Sequence, residues 1–249
     1  MNNIKAIFIK QLTSALKVPT IIIQGLIFLG MAAAFVFLLP ADPEYDCYVC
    51  VPAYVCAACE AREYERFQLP LPTGVSVFAV IFVGLALMGG TSGMVLEDKT
   101  TTNLRFMAMA DVKPYQYLIG TLSSLLIVVT VMLVFFALLG GYFGDGFFRF
   151  MAVGVAGGLV SLLFGIVMGL SKIPFLAWPF SFVLGMGPTF ASQNQALANV
   201  LRFTYVQQVN IALADLNADL TPIFLTIGAN AVVVLLVFLL MHRKNKFNL

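Results

Sequence analysis

Residues 97–120, EDKTTTNLRFMAMADVKPYQYLIG, decide how this chain must fold, because apolar runs of membrane-spanning length flank them on both sides. The stretch carries six charges, and charge is costly inside a bilayer, so it must lie in water on one face of the membrane. Thr100, Thr101 and Thr102 offer hydroxyl caps to a short helix, and Leu104, Met107 and Ala108 recur at the i, i+3, i+4 spacing of one helical face. Pro114 ends that helix, since the residue before a proline avoids the helical region, and proline itself suits the first turn of the helix that follows. The spacing predicts a stubby amphipathic helix between two spans.

Of the 249 residues 61% are hydrophobic and 10% charged, against roughly 25% charged in an ordinary soluble domain. A soluble core has no room for that much apolar surface, so the chain reads as an all-α integral membrane protein forming one transmembrane domain over residues 1–249. No Asp, Glu, Lys, Arg or His lies within the core of any apolar run, which argues against proton-coupled carriers, whose relays are intramembrane ionisable groups. There is no G-x-x-x-x-G-K-[ST] phosphate loop, so ATP is not bound by that route and energy for any work must come from a partner.

Taken in order, residues 1–19 predict an interfacial helix. Ile4, Ile7, Phe8, Leu12, Ala15 and Leu16 share a side, while Lys5, Lys10 and Lys17 lie elsewhere, with the basic face toward anionic headgroups. The first span covers about 20–39; its apolar run is too long for the core of a signal peptide, and Ala32 to Ala34 sit inside it. A polar insert, 40–74, follows with six acidic residues and two arginines. The remaining spans are expected at about 75–95, 115–139, 150–170, 175–191 and 221–241, with a loop at 96–114 and a more polar external or re-entrant segment at 192–220. A helix crosses ~30 Å of hydrocarbon with ~20 residues, so six spans are predicted.

With both termini in the cytoplasm, inner segments hold ten Lys and Arg (Lys5, Lys10, Lys17, Lys99, Arg105, Lys113, Lys172, Arg243, Lys244, Lys246). The outer segments hold four (Arg62, Arg66, Arg149, Arg202). That asymmetry follows the positive-inside rule and places loop 96–114 in the cytoplasm and the acidic insert outside a cell membrane. An odd number of spans breaks the pattern.

These residues together resemble the permease subunits of type-2 ABC transporters, the export-type class. An interfacial helix (Ile4 to Lys17) leads into the first span, and the second ends in the acidic pair Glu97-Asp98, a Thr-rich turn and Asn103-Leu104-Arg105. Pro114-Tyr115 then precede Tyr117-Leu118-Ile119-Gly120. In the family this succession forms a cytoplasmic coupling helix that docks on an ATPase subunit. The resemblance implies coupling roles for Glu97, Asp98, Thr102, Leu104, Arg105, Phe106, Met107 and Pro114. It further implies no catalysis in this chain, with ATP and Mg held by a partner ATPase, and a second permease beside it. Thr100-Thr101-Thr102 stand where many relatives carry glycine or a small residue, and Ala110-Asp111 where a more apolar helix end is common. Independently of the family, an apolar stripe of Leu104, Phe106, Met107 and Met109 on a charged loop needs cover, and a groove on a soluble partner supplies it.

The only four cysteines, Cys47, Cys50, Cys56 and Cys59, fall in the insert, on the side where oxidation is allowed. Their spacing is symmetric about Pro52-Ala53. A hairpin there brings Cys47 to Cys59 and Cys50 to Cys56, the first choice among three connectivities, ahead of tetrahedral zinc, a redox dithiol or free thiols. If the cysteines rather than the loop carry the chemistry, the chain is a membrane redox or metal-handling protein; a non-transporting membrane sensor or assembly subunit is a third reading. Gly154, Gly158, Ser161, Gly165 and Gly169 make a small-residue stripe on the fourth span, suited to close helix packing. Gln24 and Asn230, lone polar groups in spans, either bond a neighbouring helix or line a path. The apolar spans and 23 phenylalanines suit an amphiphilic cargo, a hydrophobic peptide or lipid.

Overall fold

The computed structural model describes residues 2–17, 20–38, 71–101, 103–104, 109, 112–171, 173–191, 195–215 and 218–245, and all regular structure among them is helical. A helix suits an apolar chain in lipid, since it satisfies its own backbone hydrogen bonds. Cys47, Cys50, Cys56, Cys59, Thr102, Arg105, Phe106 and Met107 lie outside the described residues, and with them the predicted cysteine hairpin and half of the docking stripe.

Helix α1 (Asn2–Lys17) is followed by α2 (Thr20–Leu38). Helix α3 (Leu71–Ile81) continues through a π-turn (Phe82–Ala86) into α4 (Leu87–Thr100), and then come α5 (Pro114–Leu139) and α6 (Asp145–Leu170). A 3-10 turn (Pro174–Leu176) leads to α7 (Ala177–Ala191), α8 (Gln195–Leu201), α9 (Tyr205–Ala214) and α10 (Leu220–Asn245).

Five helices among the described residues are long and apolar enough to cross a membrane: Thr20–Phe37, Gly74–Thr100, Pro114–Leu139, Asp145–Leu170 and Leu220–Met241. The run expected to cross at 175–191 departs from this. Pro174 opens it with a tight turn, Pro188 lies within it, and α7 has 15 residues, about 22 Å at 1.5 Å per residue against ~30 Å of hydrocarbon. The second span runs on past its expected end at 95 to Thr100, so Glu97 and Asp98 belong to a helix rather than to a loop.

The α3–α4 rod and α6 are mostly buried, whereas α2 and α10 lie at the rim. The rim helices expose Ile23, Leu26, Ile27 and Phe37, and Leu225, Val232, Leu236 and Leu240, faces suited to lipid. The core joins Phe82 to Phe136, ring centroids 5.7 Å apart, with Leu125, Leu133, Phe150, Leu162, Tyr205 and Val206 around them. The small-residue stripe of α6 is used inside the chain and serves two neighbours. Gly154 and Gly158 face Leu133 and Val129 of α5, whereas Gly165 and Gly169 press on the α4 backbone. A Cβ at Gly165 would lie 2.7 Å from the Met88 carbonyl oxygen, and one at Gly169 2.8 Å from that of Ser92. Asn230 bonds its surroundings, donating to the Phe203 carbonyl at 2.9 Å and to that of Thr226 at 2.8 Å.

Candidate functional site

Where α4 leaves the bundle, Asp98 is turned inward and is 7% exposed. Both carboxylate oxygens are fully used. Oδ1 accepts from Lys10 Nζ at 2.7 Å and from Asn103 Nδ2 at 3.3 Å; Oδ2 accepts from Gln11 Nε2 at 2.7 Å and from the Tyr117 hydroxyl at 3.0 Å. A buried carboxylate is tolerable only when paired and hydrogen-bonded. Its partners come from α1, from the start of the linker and from α5, so one side chain fastens three pieces of chain to α4.

Apolar contacts set the approach that makes these bonds. Helix α1 packs along α5, and Gly120 allows it: a Cβ there would lie 2.7 Å from Ile7 Cγ2. Ile7, Leu104 and Tyr117 form a small buried cluster, with Val112 and Leu170 against it. On α1 the buried face is Ile7 and Gln11, one turn apart. The adjacent Lys99 extends the arrangement to a fourth helix. Its Nζ donates to the Ser171 carbonyl at 2.9 Å, beside that of Leu170 at 3.5 Å, capping the C-terminal end of α6 where unpaired carbonyls and the helix dipole favour a cation.

Several expectations are corrected here. Leu104 does not belong to an exposed docking stripe: it is 5% exposed, because α1 covers it through Ile7. Lys10 does not face headgroups, since its ammonium is spent on Asp98. Thr100 and Thr101 do not cap a following helix; both hydroxyls bond back to the Glu97 carbonyl, at 3.1 and 2.7 Å, and close α4 instead. Pro114 does occupy the first turn of α5, where Lys113 N–H donates to Gln116 Oε1 at 3.0 Å. Glu97 is exposed, as is Met109 at 69%, leaving Met109 as the described member of the stripe that still faces outward.

Four donors saturate one carboxylate, and the arrangement holds three pieces of chain to α4. The sequence shows Lys10 and Lys99 only as inner-side cations and Asn103 and Tyr117 only as parts of a motif, and it gives Gln11 no role at all. The available signal was Gln11, a polar residue one turn from Ile7 on the apolar side of α1. No family model matches the chain, and comparison with curated proteins and with solved structures finds no match.

Proposed function

We propose that the chain is the transmembrane permease subunit of an ATP-driven exporter of the type-2 ABC class, with ATP and Mg in a separate cytoplasmic ATPase. In this reading six spans place both termini in the cytoplasm of a cell membrane. The 3-10 turn and α7 form the fifth, about 28 Å along their combined axes. The segment at 96–114 is the coupling segment, made of the last turn of α4 and the linker to α5; Glu97, Asp98, Thr102, Arg105, Phe106, Met107 and Pro114 stay assigned to it, with Leu104 as an internal anchor. A second permease completes the path, and the cysteine-bearing insert caps its outer mouth. The cargo is amphiphilic, a hydrophobic peptide or lipid, and moves by alternating access.

The observation that carries the reading is the Asp98 clamp. A push on the linker is useful only if the linker is stiffly attached, and here the end of α4 is bonded to α1, α5 and α6 through two adjacent side chains. An ATPase shifts such an assembly only by gripping its two states differently. Purification in mild detergent together with neighbouring gene products tests this. An ATPase subunit is expected to co-elute, and Phe106→Asp with Met109→Asp is expected to release it while leaving the yield of this chain intact. Retention of the ATPase by that variant, or a chain that exports cargo with no nucleotide-hydrolysing companion, contradicts the proposal.

A further inference from the structure

The rod formed by α3 and α4 is not one uniform helix. At Phe82–Ala86 it widens, and the Leu87 N–H reaches back to the Phe82 carbonyl, five residues away rather than four. Such a turn holds one residue more than the α register needs, and in long helices it marks places of altered packing and function. Within it, the Val83 carbonyl accepts a hydrogen bond from Ser161 Oγ of α6 at 2.6 Å. Ser161 Oγ lies 2.9 Å from the Tyr205 hydroxyl of α9, and because a serine hydroxyl has one proton to give, the tyrosine donates to it. Both side chains are buried, Ser161 completely. On another side the turn touches α7 backbone to backbone, for a Cβ at Gly84 would lie 2.6 Å from Gly185 Cα.

The two sides of the turn have different attachments. Helix α4 is joined to α6 by the close approaches at Gly165 and Gly169 and by the Lys99 cap. Helix α3 packs on α2, with Phe78 against Phe35 at 6.3 Å between ring centroids, and α9 lies against both α3 and α6. We propose that the π-turn Phe82–Ala86 is a hinge, held in its present setting by Ser161 and Tyr205, about which α4 and α6 swing as one body against α3. This goes beyond the transport reading and needs no partner. It predicts motion in the isolated chain.

The test uses the full chain in lipid nanodiscs, with spin labels on unnatural amino acids in two pairings. Positions 73 and 100 span the turn; positions 100 and 148 span the α4–α6 body. In Tyr205→Phe, which keeps the ring and loses the donor, and in Ser161→Ala, the 73–100 distance distribution is expected to gain a second population while the 100–148 distribution stays as in the parent. Ser161→Thr, which keeps a hydroxyl, is expected to behave as the parent. If neither pairing responds, the turn is a static wedge and the proposal fails. If both respond, the substitutions loosen the whole bundle, and it fails equally. Should Ser161→Ala not fold, the tyrosine variant alone decides.

Discussion

Asp98 takes hydrogen bonds from residues 10, 11, 103 and 117, so its loss leaves donors on three separate pieces of chain, two of those donors buried. Asp98→Ala is expected to lower stability by about 2–4 kcal/mol, because the Gln11 amide and Tyr117 hydroxyl then lie buried without an acceptor. Lys10→Met is expected to cost about 1 kcal/mol or less: the lysine side chain is 36% exposed, and an ion pair at that exposure is weak. Thermal unfolding in detergent measures both, and equal losses would mean that the ion pair, not the hydrogen-bonded carboxylate, holds the clamp. Burial raises the Tyr205 hydroxyl above the usual tyrosine range. The stability that comes from keeping it neutral is present below about pH 10 and declines as pH rises above it, since the unfolded chain ionises first. Tyr205→Phe is expected to flatten the loss of stability between roughly pH 10 and 12. An unchanged alkaline limb would place the phenol elsewhere.

Among the helices, two glycines in spans separate packing from propensity. Gly84→Ala drives a Cβ to 2.6 Å from Gly185 Cα, backbone that cannot turn aside, and a loss of about 1–3 kcal/mol is expected. Gly30→Ala on α2 meets nothing within 4 Å and gains helix propensity, so a rise of up to about 1 kcal/mol is expected. Melting curves of the two variants are expected to shift in opposite directions; the same sign for both would contradict the packing described. The small-residue stripe of α6 was legible from spacing, but that it serves α5 with Gly154 and Gly158 and α4 with Gly165 and Gly169 was not, because spacing gives a face and not its neighbour. Helix α7 is shorter than the run expected at 175–191, for a definite reason. The run 175–191 carries no charge, whereas helix length is set at its edge by Pro174, which forces a turn over Phe175 and Leu176 where two residues of span were expected.

At the scale of the whole molecule, composition alone identified a helical membrane protein, since nothing else accommodates 61% hydrophobic residues in long uncharged runs. Four of the helices long and apolar enough to cross, 20–37, 114–139, 145–170 and 220–241, fall near the expected boundaries, because charge, proline or glycine ends each apolar run. The clamp was illegible: its lysine and glutamine stand 88 and 87 residues from the aspartate, and no local pattern links them. Orientation follows from the proposed six spans. Reporter fusions after residues 17 and 245 are expected to report the cytoplasm at both sites; opposite sides would remove α7 as a crossing helix and reverse one half of the scheme.

The account turns on what the segment after α4 touches, and a photoreactive amino acid at Met109, an exposed position on that segment, reads it in living cells. The predicted result is a crosslink to a cytosolic nucleotide-hydrolysing subunit, lost on adding Phe106→Asp. A crosslink only to lipid or to external proteins would contradict the account.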